Sequence, residues 1–329
     1  MADDAPVNQS TASSRALWGG ILFSFGFTAL IWYAGAHWLV PGALTPDRPG
    51  FWYEWQLVAP TVWTRATAWA GYLVHQVAMW WLIWSAQKER PGYTGGLHRF
   101  NVLALGVNAL GIALHFVQTQ IWYDGLAQDV HEGTAQWSVI LLLIVVLIME
   151  NKRRGLLFGA GSTWVERAAP FLRRYHGYYF SWAIIYTFWY HPMEDTWGHL
   201  FGFLYMFLLM LQGSLFFTRA HVNRKWTVLL EVSFAFHGGM VAYLAGQGWR
   251  MFLLGGLATF IITQMHGLGL SRRARWFIGL GYLAGVGVLY AGHGWQRVPE
   301  IVGIPLTLLG GVFVLSLVIL GGQRALRPA

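Results

Sequence analysis

Ten apolar stretches recur along this 329-residue chain, most of them at or above the roughly 18 residues that a helix needs to cross a bilayer. They lie at about 17–39, 66–86, 100–122, 135–150, 174–190, 200–217, 227–245, 251–270, 277–292 and 301–321. Each reads as a transmembrane helix. Little chain is left between them, so the expected architecture is all-α: one polytopic integral membrane helical bundle of about ten transmembrane helices. A polar N-terminal tail covers 1–16, a single transmembrane domain covers 17–322, and a short basic tail covers 323–329. The tail holds Asp3, Asp4 and Arg15 and has no basic region leading to a small-residue cleavage site, which argues against a cleaved signal peptide.

Composition agrees. Apolar residues make up 56% and charged residues 11% of the chain, against about 25% charged in a soluble domain. Cysteine is absent, which removes disulfides, thiolate metal sites, covalent haem attachment and cysteine nucleophiles. The net charge of +8 suggests a polyanion partner until its distribution is considered. With the N-terminus inside, inner segments carry 18 of the 22 basic residues, and outer segments hold only Arg48, Arg65, Arg250 and Arg297. That alternation orients the protein with both termini cytoplasmic and requires no nucleic acid. The expected location is a bacterial inner membrane.

Polar residues inside the spans carry the functional information. In the third span Asn101, Asn108, His115 and Trp122 recur every seven residues, with Gly111 and Gln118 on the same face. Lipid gives such groups no partner, so this face points into the bundle or a hydrated cavity. Two readings stand: hydrogen bonding between helices, or a binding surface in which Asn108, Gln118 and Trp122 contact a substrate. His75 in the second span and His266 near the end of the eighth are alternative ligands. His237 in the seventh is followed by Gly238 and Gly239, where another helix or a flat ligand can approach. The fourth, ninth and tenth spans carry almost no polar atoms and are expected to face lipid.

The densest constellation is His191-Pro-Met-Glu-Asp-Thr-Trp-Gly-His199, between spans five and six. Pro192 suits the first turn of a helix, so the sixth helix is expected to start there, with His191 as its cap and Asp195 and His199 on the same side. Glu194 and Asp195 suit the positive end of that helix, and His with carboxylate at one-turn spacing is how helical proteins ligate iron, zinc or manganese. The expected centre unites His115, His191, His199 and His237 as metal ligands with Glu194 or Asp195 as catalytic groups. A competing arrangement is haem b held by histidine pairs: His98 and His115 lie 17 residues apart, His176 and His191 lie 15 apart.

No nucleophile elbow, Walker loop, dinucleotide fingerprint, HExxH motif or membrane-desaturase histidine box occurs. No lysine lies in a span, which excludes a retinal Schiff base. Residues 51–58 read as an amphipathic segment on the outer interface, Trp80, Trp81 and Trp84 as lipid-facing packing or a cavity wall, and Thr163 with Glu166 as a capping box. These features point first to a membrane metalloenzyme, an oxidoreductase using a divalent iron, zinc or copper ion on a lipid-like or isoprenoid-like substrate. The alternatives are a b-type haem protein, a proton-coupled transporter using the Asn101–Asn108–His115 stripe, and a non-catalytic subunit of a membrane complex. The carrier reading lacks the paired broken spans that usually mark a carrier site.

Overall fold

The computed structural model describes residues 11–45, 55–89 and 91–325. Asp3, Asp4, Arg48 and residues 51–54, together with Arg90 and Arg327 of the 18 inner basic residues, lie outside the described residues. Among the described residues the chain's regular structure is helical, and its β pairing consists of three isolated bridges. The helices are α1 (Ala12–His37), α2 (Val62–Glu89), α3 (Arg99–Trp122), α4 (Glu132–Arg154), the short α5 (Thr163–Glu166), α6 (Ala169–Tyr190), α7 (Trp197–Ser214), α8 (Arg224–Leu244), α9 (Trp249–Ile262), α10 (Arg272–Ala291) and α11 (Gly303–Ala325). Six helical stretches are long and apolar enough to cross a membrane: α1, α3, α4, α8, α10 and Trp295–Ala325, which contains α11. The four other expected spans are also helical, as α2, α6, α7 and α9. Their apolar content is diluted by Trp, Tyr, His and Gln, and α9 has only 14 residues.

The chain divides into two compact units. Unit one comprises Met1–Glu132 and Ile184–Trp226, and unit two comprises Gly133–Ala183 and Thr227–Ala329. In unit one α2 packs along α3, and α7 packs against both α1 and α3. The end of α6, Phe188-Trp-Tyr190, is almost fully buried in this unit. Small residues allow the close approaches: a Cβ at Gly71 would lie 2.2 Å from the Trp189 ring, and one at Gly111 would lie 2.4 Å from the His75 ring.

Unit two is built around α4. Leu143, Ile144, Val145, Leu147 and Ile148 form its core with Val165, Ala168, Ala169, Leu308 and Val312. This corrects the expectation that the fourth span faces lipid. An all-apolar helix has no polar stripe to mark its inward face, and hydrocarbon and protein interior suit it equally. The tenth span, α11, is corrected in part: Pro305, Leu308, Val312, Ser316 and Ile319 bury one face of it. The ninth, α10, has only Tyr290 buried, as an outward helix should. Trp80, Trp81 and Trp84 are exposed on α2.

Two local expectations also change. The helix of the sixth expected span, α7, starts at Trp197, not at Pro192, and Thr196 is its N-cap, taking the His199 N–H at 3.5 Å. Residues 191–196 are non-helical, because a threonine hydroxyl caps a helix better than an imidazole does. At α5 the N-cap is Ser162, so Thr163 is the first helical residue and forms no capping box. The Asn151 side chain holds this turn instead, accepting from Ser162 N at 3.0 Å and donating to Ser162 O at 2.9 Å. The described part of the interfacial segment, Trp55–Val58, is non-helical. Its Leu57 pairs with Leu44 and with the side chain of Gln128.

Candidate functional site

The α3 stripe faces inward as expected: Asn101, Asn108, His115 and Gln118 are buried, and Trp122 is half-buried. At its lower end Asn101 accepts from His98 N at 2.9 Å and donates to the carbonyls of Ser214 and Phe216, each at 2.8 Å. One side chain therefore caps the start of α3 and the end of α7, satisfying groups that helix termini leave open. One level up, Asn108 donates to Ser214 Oγ at 2.8 Å and to Met210 O at 3.3 Å, while its Oδ1 meets His75 Nε2 at 2.8 Å. Trp189 Nε1 donates to His75 Nδ1 at 3.2 Å. The indole can only donate, so Nδ1 is the acceptor and Nε2 carries the proton given to Asn108. His75 is a neutral imidazole with both nitrogens engaged.

His115 is fully buried, with Nε2 2.8 Å from the His191 carbonyl and Nδ1 3.0 Å from the Gln118 amide. An uncompensated charge at this depth is costly. A neutral ring donates from Nε2 to the carbonyl, and the Gln118 amide then turns its N–H toward Nδ1. Both nitrogens are consumed here too, and Asn108 spends both its donors and its acceptor on the fold.

Above this network, at the ends of α3 and α6, lies a cluster of ionisable groups. Met193 N donates to Thr119 Oγ1 at 3.1 Å, pinning the 191–196 loop onto α3. That bond carries Glu194 inward, where Tyr123 donates its hydroxyl to Glu194 Oε1. Tyr123 sits in the left-handed region at φ 42°, a conformation that costs a non-glycine residue of order 1 kcal/mol or more and gathers at functional sites. Burial raises the proton affinity of Glu194, against the lowering effect of the Tyr123 hydrogen bond. Burial followed by the Glu194 charge raises that of Tyr123. The adjacent Asp124 is pushed up to about 6 by burial, against the Gly125 N–H, Thr64 and Arg65.

The same loop brings His191 and His199 together, their rings 5.4 Å apart and nearly perpendicular. His199 also touches Trp55, ring to ring at 4.5 Å, and its Nδ1 lies 2.8 Å from Thr196 Oγ1. Asp195 is half-buried and packs where Gly35 leaves room. Unit one thus contains His115, His191 and His199 of the expected ligand set, together with Glu194 and Asp195. His237 belongs to unit two, on α8, where Gly239 lets Leu253 of α9 come close. His266 sits in the 3-10 turn after α9, with Nε2 3.1 Å from Ile261 O and Nδ1 3.3 Å from Arg275. Among the described residues no three His, Cys, Asp or Glu side chains are grouped so as to hold a metal ion.

Unit two has a polar centre that the sequence reading missed. Arg154, at the end of α4 and buried, donates from Nη1 to Glu231 Oε2 of α8 at 2.6 Å. Glu231, with Thr259 and Gln264, also lines a cavity of about 20 Å³, room for one water. The signal was present: Glu231 is an acid inside an apolar span, and such a residue needs a partner. No known protein family, characterised protein or solved structure matches this chain.

Proposed function

We propose that this chain is a ten-span membrane protein, both termini cytoplasmic, that takes up and releases protons at the outer end of unit one, as a proton-coupled carrier does. The observation that carries this reading is the pair of buried carboxyl groups at one end of the α3 stripe, Asp124 and Glu194, both raised in proton affinity. Asp124, at about 6, changes charge within the ordinary range of external pH. The stripe below them supports the reading as a rigid polar wall. Infrared titration of the purified protein tests it. A carboxyl absorption should disappear as the pH rises through about 6, and Asp124→Asn should abolish that component. A wild-type spectrum identical to that of the variant overturns the reading.

The ring pair of His191 and His199 favours a second reading, the membrane metalloenzyme, an oxidoreductase on a hydrophobic substrate. Two imidazoles ligating one ion at about 2.0–2.1 Å bring their rings to a separation close to the 5.4 Å observed. Asp195 or Glu194 would supply an oxygen ligand, whereas His115 would first have to give up one of its two hydrogen bonds. Elemental analysis decides between the two: stoichiometric iron, zinc or copper that is lost in His199→Ala supports the metalloenzyme, and a metal-free, proton-titrating protein supports the carrier.

A further inference from the structure

Basic residues are scarce outside the membrane in the ten-span arrangement, yet two of the four outer arginines, Arg250 and Arg297, line one cavity. It measures about 320 Å³, within the size range of small-molecule sites, and lies entirely in unit two, where α8 passes into α9 and α10 into the 3-10 turn Trp295–Val302. His293 adds a third basic group, and Tyr243, Trp249 and Gln247 complete the wall. No acid lines it.

The walls are set before any ligand arrives. Helix α8 ends with Gly246 at φ +66°, Gln247 N bonded to Ala242 O at 2.8 Å and Gly246 N bonded to Tyr243 O at 3.1 Å. This paired closure needs a residue free to adopt the left-handed conformation. Helix α9 begins immediately afterward, so its first turn opens beside the cavity. Arg250 Nε donates to Leu289 O at 3.2 Å, and its guanidinium lies 4.6 Å above the Trp249 ring. The terminal nitrogens of Arg250 have no carboxylate among the described residues. Trp249 and Tyr243 meet edge to face at 6.0 Å. Behind the wall Glu300 accepts from Tyr290 at 2.7 Å and faces Arg297 at 3.4 Å and His293 at 3.8 Å. Its charge offsets one of the two arginines. The cavity is left with one net positive charge when His293 is neutral, presented by a guanidinium next to aromatic and apolar surface.

We propose that this cavity binds the phosphate of a singly charged phosphodiester. The charge matches a diester's single negative charge, the Arg250 guanidinium suits phosphate oxygens, and the aromatic wall suits the organic part. Such a group comes either from a phospholipid headgroup or from a soluble phosphodiester. Placing the cavity on the outer face rests on the ten-span reading, but the binding itself does not. If Gln247→Cys labels from the cytoplasmic side, the orientation fails while the site stands.

Binding to the purified full-length protein in detergent distinguishes the sources. The probes are dioleoyl phosphatidylglycerol, followed by native mass spectrometry, and its deacylated headgroup glycerophosphoglycerol, followed by calorimetry, with dioleoylglycerol as the uncharged control. The protein should retain the phosphodiester and not the control, and Arg250→Gln with Arg297→Gln should weaken binding at least tenfold. Arg250→Lys, which keeps the charge and loses the planar fork, should fall between; it remains informative if the double variant does not fold. Retention of the lipid alone identifies a headgroup site, and binding of the soluble diester identifies a soluble ligand. The proposal is overturned if neither probe binds, or if a folded double variant binds them as tightly as the wild type.

Discussion

Asn101 and Glu231 are both polar side chains placed among apolar helices, with different consequences. Asn101 satisfies two carbonyls and one N–H at helix ends, so Asn101→Leu should destabilise the protein by about 2 kcal/mol or more, since each buried group left unsatisfied costs about 1–3 kcal/mol. Denaturant unfolding in detergent reads this, and a neutral result would show that water replaces the lost bonds. Glu231 neutralises a buried guanidinium. Glu231→Gln should cost about 3–5 kcal/mol by stranding that charge, and the double variant Arg154→Met with Glu231→Leu should recover most of the loss. If the double variant is worse than the single one, the pair has a role beyond neutralisation. Asp124 links stability to pH. Its folded pKa of about 6 lies above its ordinary 3.8, so between these values the folded state holds a proton that the unfolded chain releases. Its contribution is complete below about 3.8 and is lost as pH rises through about 6. Thermal unfolding should therefore fall to lower temperature across that window, and Asp124→Asn should flatten the slope. An unchanged slope would assign the dependence to Glu194 or to groups elsewhere.

At the scale of the helix, polar spacing was informative and its absence was not. The seven-residue recurrence along α3 correctly predicted the buried face, because lipid gives Asn and His nothing to bond to. The apolar run of α4 predicted nothing about its neighbours, and it forms the core of unit two. Ile148, fully buried there, should lose about 2–4 kcal/mol on replacement by Ala, whereas Phe277 on the exposed α10 should tolerate the same change. Small residues divide in the same way. Gly71→Val would drive a side chain into the rigid Trp189 ring, while Gly106 has nothing within 4 Å of its would-be Cβ. Gly71→Val should abolish the folded protein, and Gly106→Val should leave it extractable and monodisperse. Equal behaviour of the two would refute the α2–Trp189 contact.

For the whole molecule, a cysteine-free sequence makes topology directly measurable. His131 precedes α4 and Lys152 lies in its last turn, and both are exposed, unlike Gly125, which abuts the Tyr190 carbonyl. In intact cells a single cysteine at His131 should react with an impermeant reagent and one at Lys152 should not; the reverse pattern overturns the proposed orientation. The sequence by itself determined that the chain is helical and apolar enough to enter a membrane, which way its basic residues bias it, and which face of α3 is buried. Each of these follows from local chemistry: backbone groups need partners, charges avoid hydrocarbon, and polar periodicity marks a face. The tertiary structure decided what depends on neighbours distant in sequence. It spent His75 and His115 on Asn108, Trp189, Gln118 and a carbonyl. It set Thr196 rather than His191 at the start of α7, pulled Glu194 onto Tyr123, and joined Arg154 to Glu231 across 77 residues. A residue type states what bonds it needs, and only the packing of helices determines which group provides them.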